Sequence, residues 1–101
     1  MRTKDFSVNL DLCEELFNKL LFIEHSIRSI ENNYNYIMTI TSAKDGKHMK
    51  NSLHYSGKAI DIRSRDMAAP TLVAYNLNLW LGRDFDVIFE GDHIHIEYDK
   101  K

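Results

Sequence analysis

The sequence predicts an α+β domain, a small and mainly antiparallel sheet with helices packed on it. Three observations carry that expectation. A segment at 9–31 repeats apolar residues every third or fourth position, and a second segment near 70–81 does so more loosely. Between and after them lie short stretches rich in β-branched and aromatic residues, at 34–42, 58–63 and 84–98. The resulting order, α-β-loop-β-α-β-β, fits helices laid against an antiparallel sheet. With 101 residues, 44% of them apolar, the chain can build one modest core, so residues 1–101 are read as a single domain.

In the first helix Cys13, Leu16, Phe17, Leu20, Ile23, Ile27 and Ile30 form the apolar stripe, with Glu14, Glu15, Asn18, Lys19, Glu24 and Arg28 opposite. Asn9 or Asp11 is the expected cap. Cys13 reads as core and His25 as packing or surface, since no second ligand lies one turn from it. The pair Asn32-Asn33 ends the helix, and "YNYIMTITS" (34–42) reads as a strand. From 43 to 57 the chain turns polar, a loop long enough to suggest function. "KAIDIR" (58–63) is expected to be a central strand. Pro70 suits the first turn of the next helix and Gly82 its end. Two strands then form a hairpin turning at Gly91 and Asp92.

The net charge of −2 argues against a strongly electrostatic nucleic-acid or membrane binder. A single cysteine excludes an intrachain disulfide and cysteine-rich zinc modules. "MRTKDFSVNLDL" has no apolar signal-peptide core, and no stretch is long enough to span a bilayer. The expected location is the cytoplasm of the producing cell.

Two short segments stand out. "NSLHYSGKAIDIRS" (51–64) sets Asp61 between two isoleucines, where an uncompensated carboxylate is expensive. "EGDHIHIEY" (90–98) places His93, His95 and Glu97 on one strand face and Ile94, Ile96 and Tyr98 on the other. Both are explained if His54, Asp61 and one strand histidine converge on a divalent metal, for zinc takes imidazole nitrogen and carboxylate oxygen. Gly57 permits a sharp turn between His54 and Asp61, and Ser52 can hold the loop or orient His54. The plainer reading pairs Asp61 with Lys58, Arg63 or Arg65 and leaves the histidines on a solvated face.

The pattern Ser52-x-His54-x-x-Gly57-x-Ala59-x-Asp61, followed by His93-x-His95, resembles the signature of the zinc D-Ala-D-Ala carboxypeptidase and L-alanyl-D-glutamate endopeptidase family. That family shares a superfamily with lysostaphin-type peptidases and the hedgehog domain. The resemblance covers about residues 36–99 and implies the hedgehog/D-Ala-D-Ala peptidase-like fold. It implies one zinc ion per chain, held by His54, Asp61 and His95, with His93 as the other choice for the third ligand. Glu90 is the implied base, Asp92 its runner-up, and His93 the catalytic neighbour. Many relatives carry a Gly-Tyr-Arg segment before the first ligand. Here "SAKDGKHMKNS" stands in its place, and Lys44, Lys47 or His48 is the substitute cation.

The function implied is zinc-dependent hydrolysis of a peptide bond in peptidoglycan stem peptides or cross-links. The roles that go with it are a phage lysin released through a holin-type pore, a virion-borne peptidase, or a cytoplasmic recycling enzyme. The competing expectations are a non-catalytic zinc-stabilised module of the same fold and a metal-free interaction domain. Tyr34, Tyr36 and Tyr55 are candidates for a substrate groove or for ordinary packing.

Overall fold

The computed structural model describes residues 1–43 and 56–101. Among these residues eight elements follow in order: β1 Arg2–Thr3, α1 Glu14–Phe17, α2 Leu20–Glu31, β2 Thr39–Ser42, β3 Ala59–Arg63, α3 Pro70–Leu81, β4 Phe85–Phe89 and β5 His93–Tyr98. The strands form one sheet in the order β1-β2-β3-β5-β4, parallel between β1 and β2 and antiparallel elsewhere. The protein is thus a small α+β domain, and "KAIDIR" is the central strand, as expected.

Strand alternation sorts the sheet into two faces. Ile40, Ile60, Ile62, Val87, Ile94 and Ile96 point into the core, where they meet Leu20, Ile23 and Ile27 of α2 and Val73, Leu77 and Leu81 of α3. Burial of each such side chain contributes about 1.5–3 kcal/mol before the entropy of ordering is set against it. The other face carries Thr41, Asp61, Arg63, His93, His95 and Glu97, none of them fully buried.

The first helix departs from expectation. Residues 9–13 are not helical, the N-cap is Cys13 without a side-chain bond, and Asn18 and Lys19 interrupt the helix. Asn9 does not cap it. Its carboxamide oxygen instead accepts the Asp11 N–H at 2.9 Å, an Asx turn that competes with helix initiation. The break is a tightened turn in which Lys19 N–H donates to the Leu16 carbonyl at 3.0 Å. Leu16 and Leu20 both remain in the core across it.

Gly57 locks this entry segment to the start of β3. Its carbonyl accepts the Cys13 N–H at 2.8 Å, its φ is +72°, and a Cβ there would lie 2.5 Å from the Asp11 carbonyl oxygen. Glycine is required on both counts.

The predicted strand at 34–42 shrinks to Thr39–Ser42. Residues 36–38 are held largely by α2 side chains: Arg28 Nε donates to the Tyr36 carbonyl at 2.7 Å and Met38 N–H donates to Glu24 at 2.9 Å, while the Met38 carbonyl accepts the Arg2 N–H at 2.8 Å. The Asn32 end of α2, in the left-handed region at φ 52°, matches the reading. Pro70 begins α3 and Gly82 ends it, also as read. The start of α3 has a further support that the sequence did not suggest, the Glu31 carboxylate accepting the N–H groups of Ala68 and Ala69. The β4–β5 hairpin turns through Gly91, at φ +90°, and Asp92. Among the described residues no helix is long and apolar enough to cross a membrane.

Candidate metal and catalytic site

The register of the central strands brings the two distinctive segments together. Asp61 of β3 lies directly opposite His95 of β5, and Arg63 opposite His93. Directly opposed residues on one face approach closely, so the pairing converts two sequence features into one cluster. Asp61 Oδ1 is 3.0 Å from His95 Nδ1 and 3.9 Å from His93 Nε2. Thr41 Oγ1 donates to the Asp61 carbonyl at 3.3 Å and ties β2 to the same point.

The hairpin turn supplies the remaining acids. His93 Nε2 stands 3.5 Å from Glu90 Oε1, and His93 Nδ1 is 2.7 Å from Asp92 Oδ1. On the far side of His95, Nε2 is 2.8 Å from Glu97 Oε1. The His95 ring is therefore bracketed by carboxylates at both nitrogens, an arrangement the imidazolium satisfies by donating twice.

Burial works against charge on His95, but the bonds to Asp61 and Glu97 outweigh it and hold its pKa above the usual 6.5. For His93 burial again opposes, and Asp92, Asp61 and Glu90 together raise the pKa. The hydrogen bond from His93 in turn lowers that of Asp92, which is almost fully exposed. Four carboxylates around two imidazoles favour positive charge at this spot, whether on a proton or on a metal.

Of the sequence-predicted residues, the structure brings Asp61, His95, His93, Glu90 and Asp92 together. His54, Ser52 and Lys47 lie outside the described residues, as do Lys44, His48 and Tyr55. Among the described residues no salt bridge joins Asp61 to Lys58, Arg63 or Arg65, while His93 and His95 both lie within ion-pair distance of it. Tyr34 is exposed and Tyr36 is buried, with burial pushing the Tyr36 phenol far above its ordinary pKa. His25 is on the surface and Cys13 is half-buried against the core.

In tetrahedral zinc coordination at about 2.0–2.1 Å, neighbouring ligand atoms stand about 3.3 Å apart. The Asp61 Oδ1 to His95 Nδ1 separation of 3.0 Å is close to that spacing. Glu97 on the other ring nitrogen is the carboxylate that zinc-binding histidines regularly use to fix their ring. Two of the three expected ligands thus stand 3.0 Å apart, and the expected third, His54, lies outside the described residues.

A second acidic group lies nearby. Asp86, Glu97 and Asp99 each offer an oxygen within 4.8 Å of the others and can hold a metal ion. Lys101 already sits there, its Nζ 2.7 Å from Asp86 and 3.4 Å from Asp99.

Glu97 is the site residue that sequence reasoning missed. Its position on the histidine face was visible, and its reach to His95 depends on a rotamer that periodicity does not encode.

No protein-family model and no curated protein matches the chain. The fold and site define a class: a small α+β domain whose five-stranded, mostly antiparallel sheet gathers carboxylates and histidines on the face opposite its core.

Proposed function

We propose that the protein is a zinc-dependent peptidase of the hedgehog/D-Ala-D-Ala peptidase-like fold, acting on peptide bonds of peptidoglycan. The observation that carries the reading is the Asp61–His95 pair, 3.0 Å apart across β3 and β5, with His93 and Glu90 beside it. The sequence pattern through His54 supports the same assignment. In this reading His54, Asp61 and His95 would hold one zinc ion, and Glu97 would keep the His95 ring in place. Zinc held there would supply an acidified water and a Lewis acid for the scissile carbonyl.

The chain's own groups do the proton work. Glu90, half exposed at the mouth of the hairpin, accepts the proton of the attacking water. His93 stands 3.5 Å from Glu90 and donates a proton to the leaving amine. Asp92 orients the His93 ring through Nδ1 and stabilises its cationic form. The lysin, virion and recycling roles belong to this same reading.

Metal content and digestion of purified muropeptides, measured on one preparation, test it. Wild type is expected to hold about one zinc per chain and to cut. Asp61→Ala loses both properties, whereas Glu90→Gln keeps the metal and loses the cutting. Zinc without cleavage in wild type would turn the reading into a zinc-stabilised module. Absence of zinc would return the site to a network of paired acids.

A further inference from the structure

Beside the catalytic cluster lies an open cleft of about 270 Å³ lined by Lys4, Thr41, Arg63, Arg65, Asp92 and His93. Three of these six side chains are cations, in a protein whose net charge is −2. Among the described residues none of the three has a carboxylate within the 4.0 Å that defines a salt bridge. Asp92, the acid of the lining, is engaged by His93 at 2.7 Å. Arg63 is half-buried, so part of its hydration is lost with no compensating carboxylate among the described residues.

The cations are positioned by backbone. Arg63 stands opposite His93 in the β3–β5 register, so the two side chains share a face. The next residue fastens the strand end to the hairpin turn: Ser64 N–H donates to the Asp92 carbonyl at 3.2 Å and Ser64 Oγ to the Gly91 carbonyl at 3.3 Å. Arg65 follows directly. Lys4 is placed from the other side, its N–H donating to the Ile40 carbonyl at 2.9 Å. Two segments, the stretch after β1 and the end of β3, thus aim positive charge with no salt-bridge partner among the described residues into one cleft with His93 in its wall.

We propose that Lys4, Arg63 and Arg65 form an anion subsite that takes a carboxylate of an acidic peptide bound next to His93. The proposal rests on the peptidase reading for its ligand. Arg63 supplies the planar fork suited to a carboxylate, and Lys4 and Arg65 add charge that draws an acidic peptide to the cleft. Substrates with a free carboxylate close to the scissile bond are favoured over amidated ones.

The test uses zinc-loaded full chain and a pair of muropeptide-derived peptides that differ only in a free or amidated C-terminus. Binding is followed by NMR shifts and cleavage by KM and kcat. The free acid is expected to bind about 10–100-fold more tightly and to lower KM by a similar factor. Arg63→Gln erases most of that preference and Arg63→Lys restores part of it. Arg65→Gln and Lys4→Gln, both at exposed positions, reduce it separately, so the test does not depend on Arg63→Gln folding. Preference for the acid without any cleavage keeps the subsite and overturns the peptidase reading. Cleavage with equal binding of acid and amide overturns the subsite and leaves the peptidase. Inorganic phosphate that displaces the acid with higher affinity overturns the assignment to a carboxylate.

Discussion

At the scale of single residues, Glu97 is the side chain through which the proposed zinc site is most directly tested. Its carboxylate is 2.8 Å from His95 Nε2, and the opposite ring nitrogen faces Asp61. A carboxylate in that position fixes the ring and strengthens the imidazole as a ligand, and its loss typically weakens metal binding 10–100-fold. Glu97→Gln keeps the size of the side chain and an oxygen acceptor but removes the charge. It is expected to raise the zinc dissociation constant by about 10-fold or more, read by competition with a chromogenic chelator. Unchanged affinity would reduce Glu97 to a surface acid. The face that carries it was legible, because His93, His95 and Glu97 alternate with two isoleucines that must face the core. Its partner was not, since the Asp61-to-His95 register depends on pairing between strands over thirty residues apart.

Elements show where local pattern yields to tertiary contact. The periodicity of 9–31 foresaw one helix, but the chain enters late because the stretch before it answers to Gly57 and to Asn9, and it breaks at Asn18-Lys19 in a tightened turn. The strand expected at 34–38 is lost for a similar reason, since α2 claims its backbone through Arg28 and Glu24. Elements whose boundaries carry Pro70, Gly82 or Gly91 were legible, because those residues act locally.

Glu24 makes the α2 claim testable. It is buried to 3% exposure, accepts the Met38 N–H and pairs with the Met1 ammonium at 2.8 Å and with Arg28 at 3.5 Å. Burial by itself would raise its pKa, but these partners together hold it below the usual 4.5. The unfolded chain therefore binds the Glu24 proton first as pH falls, and the stabilisation, complete above 4.5, is lost as pH drops through the folded value. Glu24→Gln is expected to cost about 1–2 kcal/mol at neutral pH and to flatten the acid limb of stability. Urea midpoints at neutral pH and below the carboxylate range measure both, and parallel losses in wild type and variant would remove Glu24 from the account.

For the whole molecule the open and closed faces of the sheet divide the labour, and zinc should report that division. One face is packed by Ile60, Ile62, Ile94 and Ile96 against α2 and α3, while the other presents acids and histidines that attract a cation. A ligand that binds only the folded state, present at one hundred times its dissociation constant, stabilises by about 2.7 kcal/mol. In a domain of this size each kcal/mol moves the midpoint by about 4–8 °C, so zinc is expected to raise Tm by about 10–20 °C and a chelator to reverse the rise. Asp61→Ala should abolish the response, because it removes a ligand and leaves His95 facing one carboxylate instead of two. Ile23→Val, a core change away from the site, lowers the baseline by about 0.5–1.5 kcal/mol and leaves the response to zinc intact. Paired melts with zinc and with chelator separate the two variants. If Asp61→Ala and Ile23→Val respond to zinc alike, the metal is binding elsewhere on the molecule, with Asp86, Glu97 and Asp99 the first place to look.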